Sequence, residues 1–361
     1  MRLITLGIVF FASAMAWAAP ASAAIELDKI KLPPGFEISV LADKLPTARG
    51  MALGPKGTLF VGSFSAGNVY ALTLAGDHVT KVRTVIQALT MPVGVAFNGT
   101  DLYVSSLNMI LRYVDIESHL DLAPAGMVVR KDFPDDKHHG WKFIAFGPDG
   151  MLYVPVGAPC NICEPDPKRY ANISRMKPDG SGVEVFAHGV RNSVGFDWDP
   201  RTKDLWFTDN GRDMMGDDMP SDELNHAPKA DMHFGYPYCH QGDTPDPEFA
   251  GKHSCIEFTP PAQKLGAHVA ALGMRFYTGA MFPAEYKNNI FIAQHGSWNR
   301  SKKSGYRVMR AVVEGDKVIK YEVFAEGWLQ GETNWAGPST CCRCPTARSW
   351  CRMTSPAPST A

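Results

Sequence analysis

The sequence predicts an all-β chain, a six-bladed β-propeller whose last blade has been lost or scrambled, and two observations carry that prediction. The phrase MALGPKGTLFVGS from Met51 returns as VAFNGTDLYVSS at Val95, IAFGPDGMLYVPVG at Ile144 and FDWDPRTKDLWFTDNG at Phe196. A strand, a Gly/Pro/Asp turn and a second strand recur about every 45 to 50 residues, the mark of radially repeated sheets. The second observation is negative: apolar runs alternate around turn signals such as GPKG, GPDG and KPDG, and nothing reads as a long amphipathic helix.

The repeats begin near Met51, Val95, Ile144, Phe196 and Leu272. Between the last two lies a polar insertion, MMGDDMPSDELNHAPKADMHFGYPYCHQGDTPDPEFAGKHSC, rich in Gly, Pro and Asp and without helical periodicity. Insertions of this length in a compact domain usually carry function. One propeller domain is expected over residues 25–335.

From Ala336 the text AGPSTCCRCPTARSWCRMTSPAPSTA loses every strand signal. Joining the last base of each codon to the next codon's first two permits GRPVDVLPLPDGSLVVSDDLAGAIYR, which contains another copy of the repeat. Residues 336–361 are therefore expected to be a frameshifted tail, the shift lying near Trp335, that replaces a closing blade. A chain so truncated is expected to be poorly stable, aggregation-prone and weakly active.

The chain has 361 residues, 45% of them hydrophobic, enough to bury a large core. A formal net charge of -1, from 36 basic and 37 acidic residues, offers no field to gather nucleic acid or an anionic membrane. A small neutral ligand is the expected partner. The opening MRLITLGIVFFASAMAWAAPASAA has Arg2, an apolar run to Trp17 and small residues at Ala21 and Ala23. It reads as a signal peptide over residues 1–23, which implies a periplasmic or secreted protein with no membrane span after cleavage. Of the 8 cysteines, Cys160 with Cys163 and Cys239 with Cys255 are expected to form disulfide staples, while the other four belong to the tail.

Several residues could carry chemistry. His138 and His139 precede a strand, where a propeller leaves a loop on its channel face, and histidine exchanges a proton near neutral pH. HGVRNSVGF puts Arg191 and Asn192 at the equivalent point of the next blade, a donor fork and an amide suited to a planar polyanion. DNGRDMMGDDMPSDE groups Asp209, Asp213, Asp217, Asp218, Asp222 and Glu223 around Gly211, oxygen donors of the kind calcium takes. QHGSWNRSKKSGYR adds His295, Trp298, Asn299 and Arg300 after a later strand. A zinc constellation, nucleophile elbow, P-loop and dinucleotide fingerprint are all missing from the sequence.

Taken in order, PPGFEISVLADKLPTARGMALGP, HHGWKFIAFGPDGMLYVPVGAPCNIC, HGVRNSVGF, SDELN, FGYPYC and HGSWNRSKKSGYRV resemble the glucose/sorbosone dehydrogenase family, in its sorbosone dehydrogenase-like branch. The resemblance runs from Leu32 to Trp335. It implies a six-bladed quinoprotein, an oxidoreductase that binds pyrroloquinoline quinone (PQQ) with calcium. Such an enzyme oxidises an aldose or aldehyde by hydride transfer and passes electrons to a cytochrome or quinone acceptor. Carried over by position, His139 is the general base and Asp222 a substrate-side carboxylate. Arg191, Asn192 and Arg300 bind the quinone, Gly211 and Arg212 offer carbonyls to the cofactor calcium, and Glu223 binds a second calcium. His138 stands where glucose-oxidising members carry an acid, and Ala158 replaces a further carboxylate, which argues against glucose itself. The cofactor arginine of the last blade is recovered only in the shifted frame. A calcium-dependent lactone hydrolase and a non-catalytic binding propeller are the alternative readings.

Overall fold

The computed structural model describes residues 25–249, 251–343 and 349–354. The expected signal peptide lies outside the described residues. Five antiparallel sheets follow one another along the chain, each ordered as its strands occur in sequence. The first contains Ala48–Leu53, Leu59–Ser63, Val69–Ala75 and His78–Ile86, and the second contains Val95–Asn98, Asp101–Ser106, Met109–Tyr113 and Met127–Arg130. The third is built from Ala145–Phe146, Leu152–Val156, Asn172–Met176 and Glu184–His188, with Met232–His233 added in parallel at its outer edge. The fourth takes Gly195–Trp198, Leu205–Asp209, Ser221–Ala227 and Gln263–Ala267, and the fifth Ala271–Phe276, Ile290–Gln294, Arg307–Glu314 and Lys317–Glu326. No α-helix occurs among the described residues, and none of their helices is long and apolar enough to cross a membrane.

The burial pattern explains why these segments form blades. Second strands such as Leu59–Ser63, Leu152–Val156 and Ile290–Gln294 are buried at every position. Each is covered on both faces by adjacent blades, so apolar runs replace the usual alternation. Outer strands such as His78–Ile86 and Lys317–Glu326 are largely exposed and carry the charge. Between blades the cores are continuous: Phe60, Val69, Leu102 and Val104 join the first two, Phe143, Tyr153, Phe196 and Phe207 the third and fourth, and Trp206, Leu224, Met274 and Ile292 the fourth and fifth. The turn signals take the conformations their glycines permit, with φ of 91° at Gly57, 76° at Gly150 and 84° at Gly180.

Two expectations are corrected. The propeller has five complete blades, and its sixth sheet has two strands, Gly337–Arg343 and Ser349–Thr354, rather than none. Gly337–Arg343 packs against the inner strands of the first and fifth blades. Strand pairing uses backbone groups, and Gly337, Ser339 and Thr340 are small enough to sit in that gap, so a segment without hydrophobic alternation still becomes a strand. A Cβ on Gly273 would lie 2.6 Å from the Thr340 Cα, which shows how closely the backbones approach. Residues 344–348 and 355–361 of the tail lie outside the described residues.

The second correction concerns the polar insertion, which is not one long loop. Ser221–Ala227 runs through it as the third strand of the fourth blade. Its polar residues are buried and hydrogen-bonded, so periodicity could not reveal it. The expected disulfides are both formed, Cys160–Cys163 and Cys239–Cys255.

Candidate active site

Because blade strands are antiparallel, the segment before each inner strand and the segment after each second strand meet at one end of the ring, as Gly195 and Thr208 do. That end gathers the Arg49 region of the first blade, the His138–Trp141 loop of the third, Arg191 and Asn192 with residues 209–213 of the fourth, and His295 to Asn299 of the fifth.

His139 sits in the left-handed region at φ 50°, with its Nδ1 2.9 Å from the Ala158 carbonyl oxygen. A carbonyl can only accept, so Nδ1 carries the proton and Nε2 keeps its lone pair. Burial and the neighbouring Arg191 push the imidazole well down, to about 2. A side chain at Gly157 would run into His139, with Cβ atoms 2.6 Å apart, so glycine is required for the ring to rest there. The His138 ring lies 3.9 Å away, centroid to centroid.

Arg191 is 3% exposed, and its fork is engaged entirely within the protein. Nε donates to the Asn161 carbonyl at 2.8 Å and Nη2 to Asn161 Oδ1 at 2.8 Å. Nη2 also pairs with Asp213 at 3.1 Å, while Nη1 donates to the carbonyls of Asn210 at 3.1 Å and Gly211 at 2.7 Å. The backbone amides of Arg191 and Asn192 are capped by the two Asp209 oxygens, at 2.8 and 2.6 Å. Burial raises the Asp209 carboxyl to about 7. The Asn192 side chain is half-buried and makes no hydrogen bond among the described residues.

The remaining expected residues divide. Asp222 is 2% exposed and accepts from the Gly211 amide at 2.9 Å and the Ala271 amide at 3.4 Å, so its carboxylate braces the site loop; burial lifts it to about 6. Glu223 accepts from the Gln241 amide at 2.7 Å and Asn225 Nδ2 at 3.0 Å, and burial with Asp209 nearby raises it to about 8. Arg212 turns its guanidinium to Asp246, at 2.5 Å, and Glu248, at 3.1 Å. Arg300 bonds to the Asp217 carbonyl and reaches Asp218 at 3.5 Å, which ties two loops together.

Calcium does not fit the residues as they stand. The Gly211 carbonyl already accepts from a guanidinium, Glu223 is satisfied by neutral donors, and no group of three His, Cys, Asp or Glu among the described residues could hold a metal ion. Arg49 is half-buried, packs 5.8 Å from the Phe64 ring and 5.7 Å from the Trp141 ring, and is lowered to about 10 by desolvation. It in turn helps burial hold His295 down near 4. Each arginine thus disfavours the charged form of a neighbouring histidine, while Arg191 is itself paired with Asp213 and the buried carboxyls of Asp209 and Asp222 stand close by.

Sequence reasoning missed Arg49 and Asn161. Arg49 could have been found by aligning TARGMALG with VRNSVGF, since each arginine stands near the start of an inner strand, Ala48–Leu53 or Gly195–Trp198; Asn161 carries no sequence signal beyond its place in CNIC. A hollow of about 400 Å³ lined by Pro245, Lys252, His253 and Glu257 contains none of these residues.

Comparison with known proteins places this arrangement. The fold is the β-propeller of solved structures such as the PQQ-bound aldose sugar dehydrogenase of Streptomyces coelicolor, which is 20% identical with a TM-score of 0.62 and coverage of 86% of this chain and 88% of that one. The TrAA12-like family matches residues 30–326, and the chain belongs to it. An uncharacterised protein of Borreliella burgdorferi is 30% identical over 331 residues, covering 85% of this chain and 83% of that protein. A pyrroloquinoline quinone-dependent pyranose dehydrogenase of Coprinopsis cinerea is 23% identical over 329 residues, covering 76% of this chain but only 44% of that enzyme. Among solved structures, the calcium structure of the Trichoderma reesei family AA12 enzyme has a TM-score of 0.77 at 19% identity, covering 90% of this chain and 94% of that one. The holo PQQ domain of the Coprinopsis cinerea pyranose dehydrogenase gives 0.72 at 19% identity, with coverage of 86% and 91%.

Proposed function

We propose that the chain is a PQQ-dependent oxidoreductase that oxidises an aldose or a related aldehyde, sorbosone-like rather than glucose, with His139 as general base. The observation that carries this reading is the His139–Ala158 contact, which fixes a neutral imidazole with Nε2 as acceptor beside Arg191. PQQ, when bound, supplies the hydride acceptor. His139 Nε2 takes the substrate hydroxyl proton as hydride leaves the adjacent carbon. Arg49 and Arg191 offset the ligand's negative charge, and the Asn192 amide offers both a donor and an acceptor. No step is assigned to calcium. Asp222, the substrate-side carboxylate of this reading, accepts from the Gly211 amide and so also orients that loop.

The periplasmic or secreted location and the cytochrome or quinone electron acceptor belong to the same reading. A lactone hydrolase would need a carboxylate or cation at His139 to activate water, and no acidic side chain among the described residues contacts it. Dye reduction after PQQ is added, measured across aldoses, sorbosone and simple aldehydes, tests the proposal; lactone hydrolysis without quinone would overturn it.

A further inference from the structure

The loop closed by Cys160–Cys163 lies between the second and third strands of the third blade, yet it reaches across to the fourth. Asn161, inside that disulfide, makes four hydrogen bonds to two residues of the candidate site. Its carbonyl accepts from Arg191 Nε at 2.8 Å and its Oδ1 from Arg191 Nη2 at 2.8 Å. Oδ1 also accepts from the Asp213 amide at 2.8 Å, and Nδ2 donates to the Asp213 carbonyl at 3.0 Å. One asparagine thereby sets both the plane of the guanidinium and the course of the loop that carries Gly211.

The loop is itself held. The Tyr236 hydroxyl accepts from the Cys163 amide at 3.1 Å and lies 3.4 Å from Cys160 Sγ. Ala158, Ala171 and Tyr236 form a small core against which Cys160 and Ile162 pack. A three-residue separation between bridged cysteines leaves the enclosed backbone few conformations. The Cys239–Cys255 bridge, in contrast, makes no contact with Arg191.

We infer that Asn161, locked by the Cys160–Cys163 disulfide, is a positioning residue for Arg191 and hence for quinone binding. This rests on the quinone reading above. Charge-assisted bonds to both sides of the guanidinium fix its orientation, and a fork free to rotate would lose the Gly211 carbonyl.

Two readouts test it on the whole protein. The first is the guanidinium Nη2–H resonance of Arg191 in the quinone-free protein, which is expected to be resolved and slow to exchange in the wild type and lost in Asn161→Ala, since the variant removes the Oδ1 acceptor and keeps the backbone carbonyl that Nε donates to. The second is the dissociation constant for PQQ, followed by tryptophan fluorescence. Asn161→Ala is expected to raise it by about tenfold, because it removes the charge-assisted bond from Arg191 Nη2 together with both side-chain bonds to the Asp213 backbone. Cys160→Ser/Cys163→Ser is expected to raise it too, and the combined variant to be no worse than Asn161→Ala alone, since both changes act through one residue. Cys239→Ser/Cys255→Ser is expected to lower the melting temperature and leave the dissociation constant within threefold. A protected Arg191 resonance in Asn161→Ala, or strictly additive losses, would overturn the inference. A wild type that binds no quinone while its Arg191 resonance depends on Asn161 would overturn the functional reading and leave the positioning role standing.

Discussion

Nδ1 of His139 points at the carbonyl oxygen of Ala158 from 2.9 Å, and this contact decides which ring nitrogen is free to act. The orienting acceptor is a backbone atom rather than a carboxylate, so no charge on it stabilises an imidazolium. The base is ordered but not strengthened. His139→Ala should therefore reduce quinone-dependent turnover by about 10²- to 10⁴-fold, the range for a lost general base. The PQQ dissociation constant should stay within threefold, because His139 acts on the substrate proton. Steady-state dye reduction with parallel fluorescence titration checks both; an unchanged rate would remove His139 from the chemistry.

The neutral histidines should oppose folding in acid, against the raised carboxyls of Asp209, Asp222 and Glu223, which take up protons in the folded chain as pH falls. His139 and His295 are pushed down by burial with Arg191 and Arg49 nearby, to about 2 and about 4. An unfolded histidine takes its proton near 6.5, so below that pH the unfolded chain binds more protons than the folded one. Stability present above about pH 6.5 is lost as pH falls, by up to about 2 kcal/mol per histidine at pH 5. His295→Gln should raise the melting temperature at pH 5 relative to that at pH 7, compared with the wild type; an unaltered difference would count against a His295 held neutral.

Calcium alone should do little. Arg191 Nη1 already donates to the Gly211 carbonyl, and Glu223 is satisfied by Gln241 and Asn225. Millimolar calcium added to quinone-free protein is expected to move the melting temperature by less than about 1 °C, since stabilisation follows RT ln(1 + [L]/Kd) and no group of three His, Cys, Asp or Glu that could hold a metal ion occurs among the described residues. A rise of several degrees would mean that Arg191 gives way to the cation and that the Gly211 and Arg212 carbonyls form a site after all.

The sixth sheet supplies a test of the tail. In the shifted frame the expected arginine falls at position 337, where a Cβ on Gly337 would lie 2.4 Å from the His295 carbonyl oxygen. Gly337→Arg alone should destabilise the chain, by about 1 to 3 kcal/mol, as overpacking does. Restoring the whole frame from Trp335 should instead raise stability and lower aggregation, because a complete blade would cover the open edge. Sequencing the gene across Trp335, with thermal unfolding of both versions, decides the matter. A frame-restored chain no more stable than this one would contradict the proposal.

What the sequence made legible follows from what repeats. Inner and second strands such as Val95–Asn98 and Leu152–Val156 announce themselves because each blade restates them around a Gly turn. Ser221–Ala227 does not, since Asp222 and Glu223 occupy a buried strand and accept from the Gly211 and Gln241 amides, partners distant in sequence. Arg191 and Asn192 were legible as a pair, but not that the Arg191 fork would be engaged by Asn161 and residues 210–213. Such contacts join different blades, and no local pattern encodes them.

The central claim is that His139 and the arginine-bearing channel end serve a bound quinone. Its most direct test is dye reduction by the purified protein before and after PQQ is added, with His139→Ala alongside. The account predicts aldose- or aldehyde-dependent reduction that appears only with quinone and is lost in the variant. A folded protein that neither binds quinone nor reduces dye, in this form and with the frame restored, would contradict it.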